Sequence, residues 1–123
     1  MHPALTADEY IALRASVGWP TMTPDVAETA LDQSLALVTA RDDEGRLIGL
    51  ARAVGDTFYA IVVDVMVAPD EQENGVAAEL MESLLADTHI ERAGHVALFS
   101  APEAIELYES FGFTAEGGTY MQR

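Results

Sequence analysis

Residues 58–77 read FYAIVVDVMVAPDEQENGVA, and the change of character half-way along this stretch decides the fold. Residues 58–67 are apolar apart from Asp64 and rich in β-branched side chains, the composition of a strand buried mid-sheet rather than of a helix. Pro69 closes that strand. From Gly75 the pattern turns helical: over 75–86, Val76, Leu80 and Leu84 form one ridge and Ala77, Met81 and Leu85 its neighbour, while Glu79 and Glu82 point away. A strand that passes through a short loop into a helix leaves free backbone N–H groups at the helix start. With the helix dipole, such groups bind phosphate without any basic side chain. Gly75 and Ala77 leave room for a close approach, and Gln72 and Asn74 add neutral donors. Asp70, Glu71 and Glu73 also stand here without Arg or Lys, and acidic residues belong in first turns simply as dipole partners. On the residues alone, both readings stand.

Working outward, Thr6-x-x-Glu9 is a capping box that opens a helix over 6–16, ended by Gly18-Trp19-Pro20. Thr23-Pro24-Asp25 starts a second, shorter helix running to about Leu31. SLALVTA (34–40), a turn at 42–47 and IGLARAV (48–54) form an antiparallel hairpin. Gly94 precedes a short strand, HVALFS (95–100). Pro102 opens a helix in which Ala104, Leu107, Tyr108 and Phe111 share one side and which Gly112 stops. FTAEGGTYMQR is expected to add two short strands around Gly117-Gly118. The order of elements gives a mixed α/β sheet in a single domain over 1–123.

The chain has 123 residues, no cysteine, and half of its residues are apolar. Thiolate nucleophiles, disulfides and Cys-ligated zinc are excluded, no cluster has metal-ligand spacing, and no run is long enough to span a membrane. A basic segment followed by a hydrophobic one is missing from the start, so a cytoplasmic location is the default expectation. Acidic residues number 21 against six basic ones, all arginine, for a net charge of −15. That balance disfavours nucleic acid and anionic membranes as partners. It suits a halophile's salt-rich cytoplasm, where screening relieves self-repulsion; compositional drift with a gain in solubility gives the same numbers.

DVMVAPDEQENGVA (64–77), with LYESFGF (107–113), resembles the GCN5-related N-acetyltransferase (GNAT) superfamily. The first segment matches its acetyl-CoA signature, Val-x-Pro followed by Gln/Arg-x-x-Gly-x-Gly/Ala, at Val67, Pro69, Gln72, Gly75 and Ala77. The second matches the late helix ending in Tyr-x-x-x-Gly-Phe at Tyr108, Gly112 and Phe113. The early helix ending at Gly18-Trp19 and the turn at Gly45 before Ile48-Gly49 agree, and the resemblance covers about residues 6–121. It implies the acyl-CoA N-acyltransferase fold, a mostly antiparallel sheet with parallel, splayed central strands and flanking helices. It also implies acetyl-CoA as cofactor. The strand Val65-Met66-Val67 would pair its backbone with the pantetheine arm. Gln72, Glu73, Asn74, Gly75, Val76 and Ala77 would surround the pyrophosphate, with Ala101 and Ala104 near the far end of the cofactor. Two departures stand out: the family usually has Gly where Glu73 stands and Lys, Arg or Gln where Asn74 stands. At low salt a carboxylate within about 5 Å of the pyrophosphate costs on the order of 1 kcal/mol. The family's first strand is also reduced to HPAL, and the sheet edge so left bare favours a homodimer.

By the same resemblance, Tyr108 would protonate the departing CoA thiolate, a task that a neutral donor suits, while a backbone amide beside the splayed strand polarises the thioester carbonyl. Packing on the sheet is the plainer role for Tyr108. Asp64, in the most apolar strand, must face a cleft or have a partner: it is either the base or ammonium anchor, or a structural hydrogen-bonding group. His95, at a strand start, and the exposed His2 and His89 are poor candidates. The acceptor wall in this fold falls around Trp19, Met22, Phe58 and Tyr59, partly aromatic and near an acidic floor. That description suits a small cationic amine, and the expected activity is direct acetyl transfer to one. A catalytically degenerate acyl-CoA-binding or protein-interaction module is the alternative.

Overall fold

A computed structural model of the protein describes residues 5–123; of the HPAL remnant, His2, Pro3 and Ala4 lie outside the described residues, and Leu5 is buried in the core. Helix α1 (Ala7–Ser16) is opened by the expected capping box. Thr6 Oγ1 accepts from the N–H of Glu9 (3.1 Å), and the Glu9 carboxylate accepts from the N–H of Thr6 (3.0 Å). Two of the first turn's orphan donors are thereby satisfied. Arg41 grips the same carboxylate at 2.6 and 3.0 Å and holds the glutamate acid down at about 2. Helix α2 (Pro24–Asp32) follows, with Pro24 in its first turn.

Strands β1 (Ala36–Arg41), β2 (Leu47–Gly55) and β3 (Tyr59–Val67) form an antiparallel meander, and β4 (His95–Leu98) lies parallel to β3, in the order β1-β2-β3-β4. Between β1 and β2, Asp42 closes the turn by accepting from the N–H groups of Glu44 and Arg46 (both 2.9 Å). Helix α3 (Val76–Leu85) crosses one face of the sheet. It comes close at Gly49, where a Cβ would stand 3.0 Å from both Leu80 and Val76. Arg52, three residues further along β2, projects to the opposite face and bonds the α2 carbonyl of Ala30 (3.2 Å). Helices α1 and α2 therefore cover that face. Tyr10, Leu50, Met66, Met81 and Leu84 are fully buried between these layers. No helix of the described residues is long and apolar enough to cross a membrane.

Three expectations change. Thr88–Glu91 forms a short helix, α4, capped by Asp87, which its single buried apolar residue, Ile90, could not announce. The helix expected from Pro102 begins as a 3₁₀ turn, Pro102–Ala104, before α5 (Ile105–Glu109). Gly112 (φ 90°) ends it, with the Phe113 N–H returning to the Tyr108 carbonyl (3.2 Å). The C-terminal segment forms no strand. Gly117 and Gly118 hold φ of 126° and 132°, a backbone shape outside the β region of L-residues that breaks any ladder.

Candidate active site

The parallel pair separates half-way. β4 pairs with β3 only from Tyr59–His95 to Val62–Leu98. At the next residue the β2–β3 register jumps, from Ala53 opposite Val62 to Arg52 opposite Asp64, leaving Val63 as an extra residue. This β-bulge bends the strand and raises its local twist, so bulge and parting coincide at Val63. Beyond it β3 runs alone on the β4 side. The N–H of Ala68 turns to Ile48 in β2 (2.8 Å). In the same trans peptide unit the carbonyl of Val67 must point the other way, into the opening.

Pro69–Glu71 forms a 3₁₀ turn, and Glu73 and Gly75 take φ of 73° and 80° before α3 begins. Among the described residues, the N–H groups of Gly75, Val76 and Ala77 meet no acceptor of the chain itself. They are the open donors of the helix start and form a cradle that suits a phosphate. The side-chain donors expected to help are exposed but bond within the chain. Gln72 Nε2 donates to the Val67 carbonyl (3.1 Å) and Asn74 Nδ2 to Glu71 (3.4 Å). Of the three acidic residues, Asp70 is drawn aside by Arg46 (2.7 Å). Glu73 carries its side chain on a left-handed backbone that glycine adopts without strain, which gives a physical reason for the glycine usual there.

Asp64 has three donors. It lies 4 % exposed and accepts from Arg14 Nη1 (3.0 Å), Arg52 Nε (2.9 Å) and the Tyr10 hydroxyl (2.5 Å). Arg14 and Arg52 are themselves 14 % and 12 % exposed, and their guanidinium groups lie 5.7 and 5.8 Å from the Tyr10 ring centre. Burial and the neighbouring carboxylate push the Tyr10 hydroxyl above the usual tyrosine range. The acidic floor expected from the sequence is therefore replaced by a carboxylate flanked by two guanidinium groups, with one net positive charge. These contacts supply the partners that the structural alternative for Asp64 requires. The sequence reading missed Tyr10, Arg14 and Arg52, although a lone carboxylate in an apolar strand demanded such partners.

The four residues expected to form one acceptor wall are not gathered. Trp19 stacks 5.5 Å from Arg14 and so belongs beside Asp64, while Met22 packs on the core. Phe58 and Tyr59 sit at the other end of β3, Tyr59 edge-on to His95 (5.6 Å) and the Phe58 ring beside Gly94. The five steps from Tyr59 to Asp64 span about 16 Å of strand. Ala101 and Ala104 follow β4 at the far side of the opening. Tyr108, on α5, is 9 % exposed; burial raises its hydroxyl above the ordinary range, which keeps it protonated. Its ring meets Phe113 edge to face (6.3 Å). It lines a cleft of about 950 Å³ between β4, α5 and the segment up to Tyr120. Residues 64–67 and 72–77 do not line that cleft. No group of residues fit to hold a metal occurs among the described residues.

A parallel pair parted at a bulge, with open amides at the next helix start, is the architecture that the motif resemblance implies. The acetyltransferase (GNAT) domain family matches residues 8–123. The chain belongs to the GNAT acetyltransferase family. Among curated GNAT relatives, GCN5-related N-acetyltransferase 1, chloroplastic, of Arabidopsis thaliana is 32% identical over 114 residues, 91% of this chain and 58% of that protein. Serotonin N-acetyltransferase 2, chloroplastic, of Oryza sativa subsp. japonica is 33% identical over 106 residues, 83% of this chain and 53% of that one. The chain thus spans between half and three-fifths of the length of these relatives. A Staphylococcus aureus crystal structure, described as a protein of unknown function and probable acetyltransferase, superposes with a TM-score of 0.84 at 29% identity, covering 100% of this chain and 97% of that one. The mixed four-stranded sheet with flanking helices is the GNAT fold.

Proposed function

We propose that this GNAT protein is an acetyl-CoA-dependent N-acetyltransferase that passes the acetyl group directly to the primary amine of a small molecule. The observation that carries this reading is the continuity from the bulge at Val63, along the open side of β3, to the unpartnered amides of Gly75, Val76 and Ala77. A main-chain groove of that kind fits an extended thioester with a pyrophosphate at one end. When bound, the cofactor supplies the activated acetyl thioester. The helix start would hold its phosphates, and a main-chain N–H of 63–67 would donate to the thioester carbonyl. Tyr108 O–H would be the donor for the thiolate sulfur. With no cysteine in the chain, transfer proceeds without an acyl-thioester on the protein. Asp64, engaged by its three donors, fixes Arg14 and Arg52, and the amine loses its proton to solvent.

The glutamate on the left-handed backbone at the cradle favours the second reading, a domain of this fold that binds acyl-CoA without turnover. Calorimetric titration of acetyl-CoA at about 0.1 M and about 2 M KCl tests the cradle, since salt screens Glu73. Amine-dependent release of free thiol then separates the readings. Binding that strengthens with salt together with turnover establishes the enzyme, binding without turnover the degenerate module, and no binding in either salt removes both.

A further inference from the structure

We propose that the acceptor carries a carboxylate beside its amine, as an amino acid does, and that Arg14 and Arg52 recognise it at the mouth of the Asp64 cluster. This rests on the acetyltransferase reading and names the substrate class. Arg14 spends Nε on the Pro20 carbonyl (2.6 Å) and Nη1 on Asp64 and Tyr10. Arg52 spends Nε on Asp64, and Nη1 on the Ala30 carbonyl (3.2 Å) and Ser34 Oγ (3.3 Å). Neither Nη2 has a partner among the described residues, yet no buried side-chain nitrogen among them lacks one. Both Nη2 groups therefore reach the surface. One carboxylate fixes both guanidinium groups, Arg14 on Oδ1 and Arg52 on Oδ2, so each arginine keeps one Nη2 donor for a second carboxylate. Among the described residues Asp64 is the only carboxylate paired with either arginine, so the pair keeps one unneutralised positive charge within a chain of −15.

The place is right for an acceptor. Asp64 follows the bulge residue Val63, where β3 and β4 part, and Trp19, 36% exposed, roofs the Arg14 guanidinium. An anion docked on the two Nη2 groups is thus tethered beside the opening. A purely cationic amine would instead meet like charge.

Trp19 is the only tryptophan of the chain and reports on the site directly. In chloride-free buffer, phenylalanine and phenylacetate should each change its emission saturably, whereas phenethylamine and phenylalanine methyl ester should not. Arg14→Lys keeps the charge but cannot hold Asp64 and present a further planar N–H at once, and should weaken the response about tenfold. In thiol-release assays the free amino acid should show a KM about tenfold or more below that of its ester or decarboxylated amine. Equal emission changes for the decarboxylated amine, no change with either carboxylate, or equal or better turnover of the ester each overturn the proposal. Should no amine be acetylated, the acetyltransferase reading fails by itself, and the Trp19 titration of the wild-type protein still decides whether the carboxylate site exists.

Discussion

Replacing Glu73 with glycine separates two penalties that meet at one residue. The first is conformational: holding an L-residue in the left-handed region costs roughly 1–2 kcal/mol, and Glu73 sits at φ 73°. Glycine removes that cost but loses about 0.4–1 kcal/mol through its freer unfolded chain. A net gain of about 0.5–1 kcal/mol, or a Tm higher by about 2–5 °C, is expected for a domain of this size. The second penalty is electrostatic. A carboxylate about 5 Å from a phosphate charge costs about 1 kcal/mol in water-like dielectric, so acetyl-CoA should bind about fivefold more tightly to Glu73→Gly at low salt. In about 1–2 M KCl, where screening acts within about 3 Å, that advantage should fade. Glu73→Gln removes the charge and keeps the strain, and it also measures any stabilisation the carboxylate gives the helix dipole. Differential scanning calorimetry and titration of all three proteins complete the assay. If Glu73→Gly melts no higher than Glu73→Gln, the strain argument is wrong. If neither variant binds acetyl-CoA better at low salt, the charge argument is wrong.

Asp64→Asn should destabilise the fold by about 3–5 kcal/mol in urea titrations, because it leaves two nearly buried guanidinium groups facing each other; unchanged stability with lost turnover would instead make Asp64 a base. Tyr108→Phe should lower kcat by about 10²–10⁴ with acetyl-CoA affinity unchanged, and a kcat within twofold of wild type would remove Tyr108 from the chemistry. The Glu9 carboxyl is held at about 2 against an ordinary 4.5. Its pairing should therefore stabilise the protein fully above about pH 4.5 and fade as pH falls towards 2. Since this ion pair is partly exposed, its worth is on the order of 1 kcal/mol. The Tm gap between wild type and Glu9→Gln should close over that interval, and a gap constant with pH would contradict the assignment.

Most of the fold was legible because its signals are local. The apolar run of 58–67, the ridges of 75–86 and the Thr6–Glu9 box each lie within one element, and the signature at 67–77 ties two of them together. The charge cluster was not legible: it joins Asp64 to residues 50 and 54 positions away, and no local period records a partner on another element. Arg52, opposite Asp64 across the hairpin, is the member that register could have found. Gln72 and Asn74 illustrate the opposite case. Their amides have backbone and carboxylate acceptors within five residues, so the local bond competes with any ligand. The C-terminal strands failed at paired glycines, which mark a turn equally well when no strand flanks it.

The Asp64 cluster also bears on how this sequence can change. Removing the aspartate strands two guanidinium groups in a nearly dry site and costs several kcal/mol, and removing either arginine takes a donor from a carboxylate oxygen that is buried. Replacing all of them together with packed apolar residues of similar volume can be neutral or even stabilising. Mutation arrives one position at a time, so the descent from the charged arrangement to the apolar one is blocked at its first move. The cluster behaves as a ratchet: once assembled across three elements, it can persist in a lineage long after the circumstances that favoured its assembly have gone.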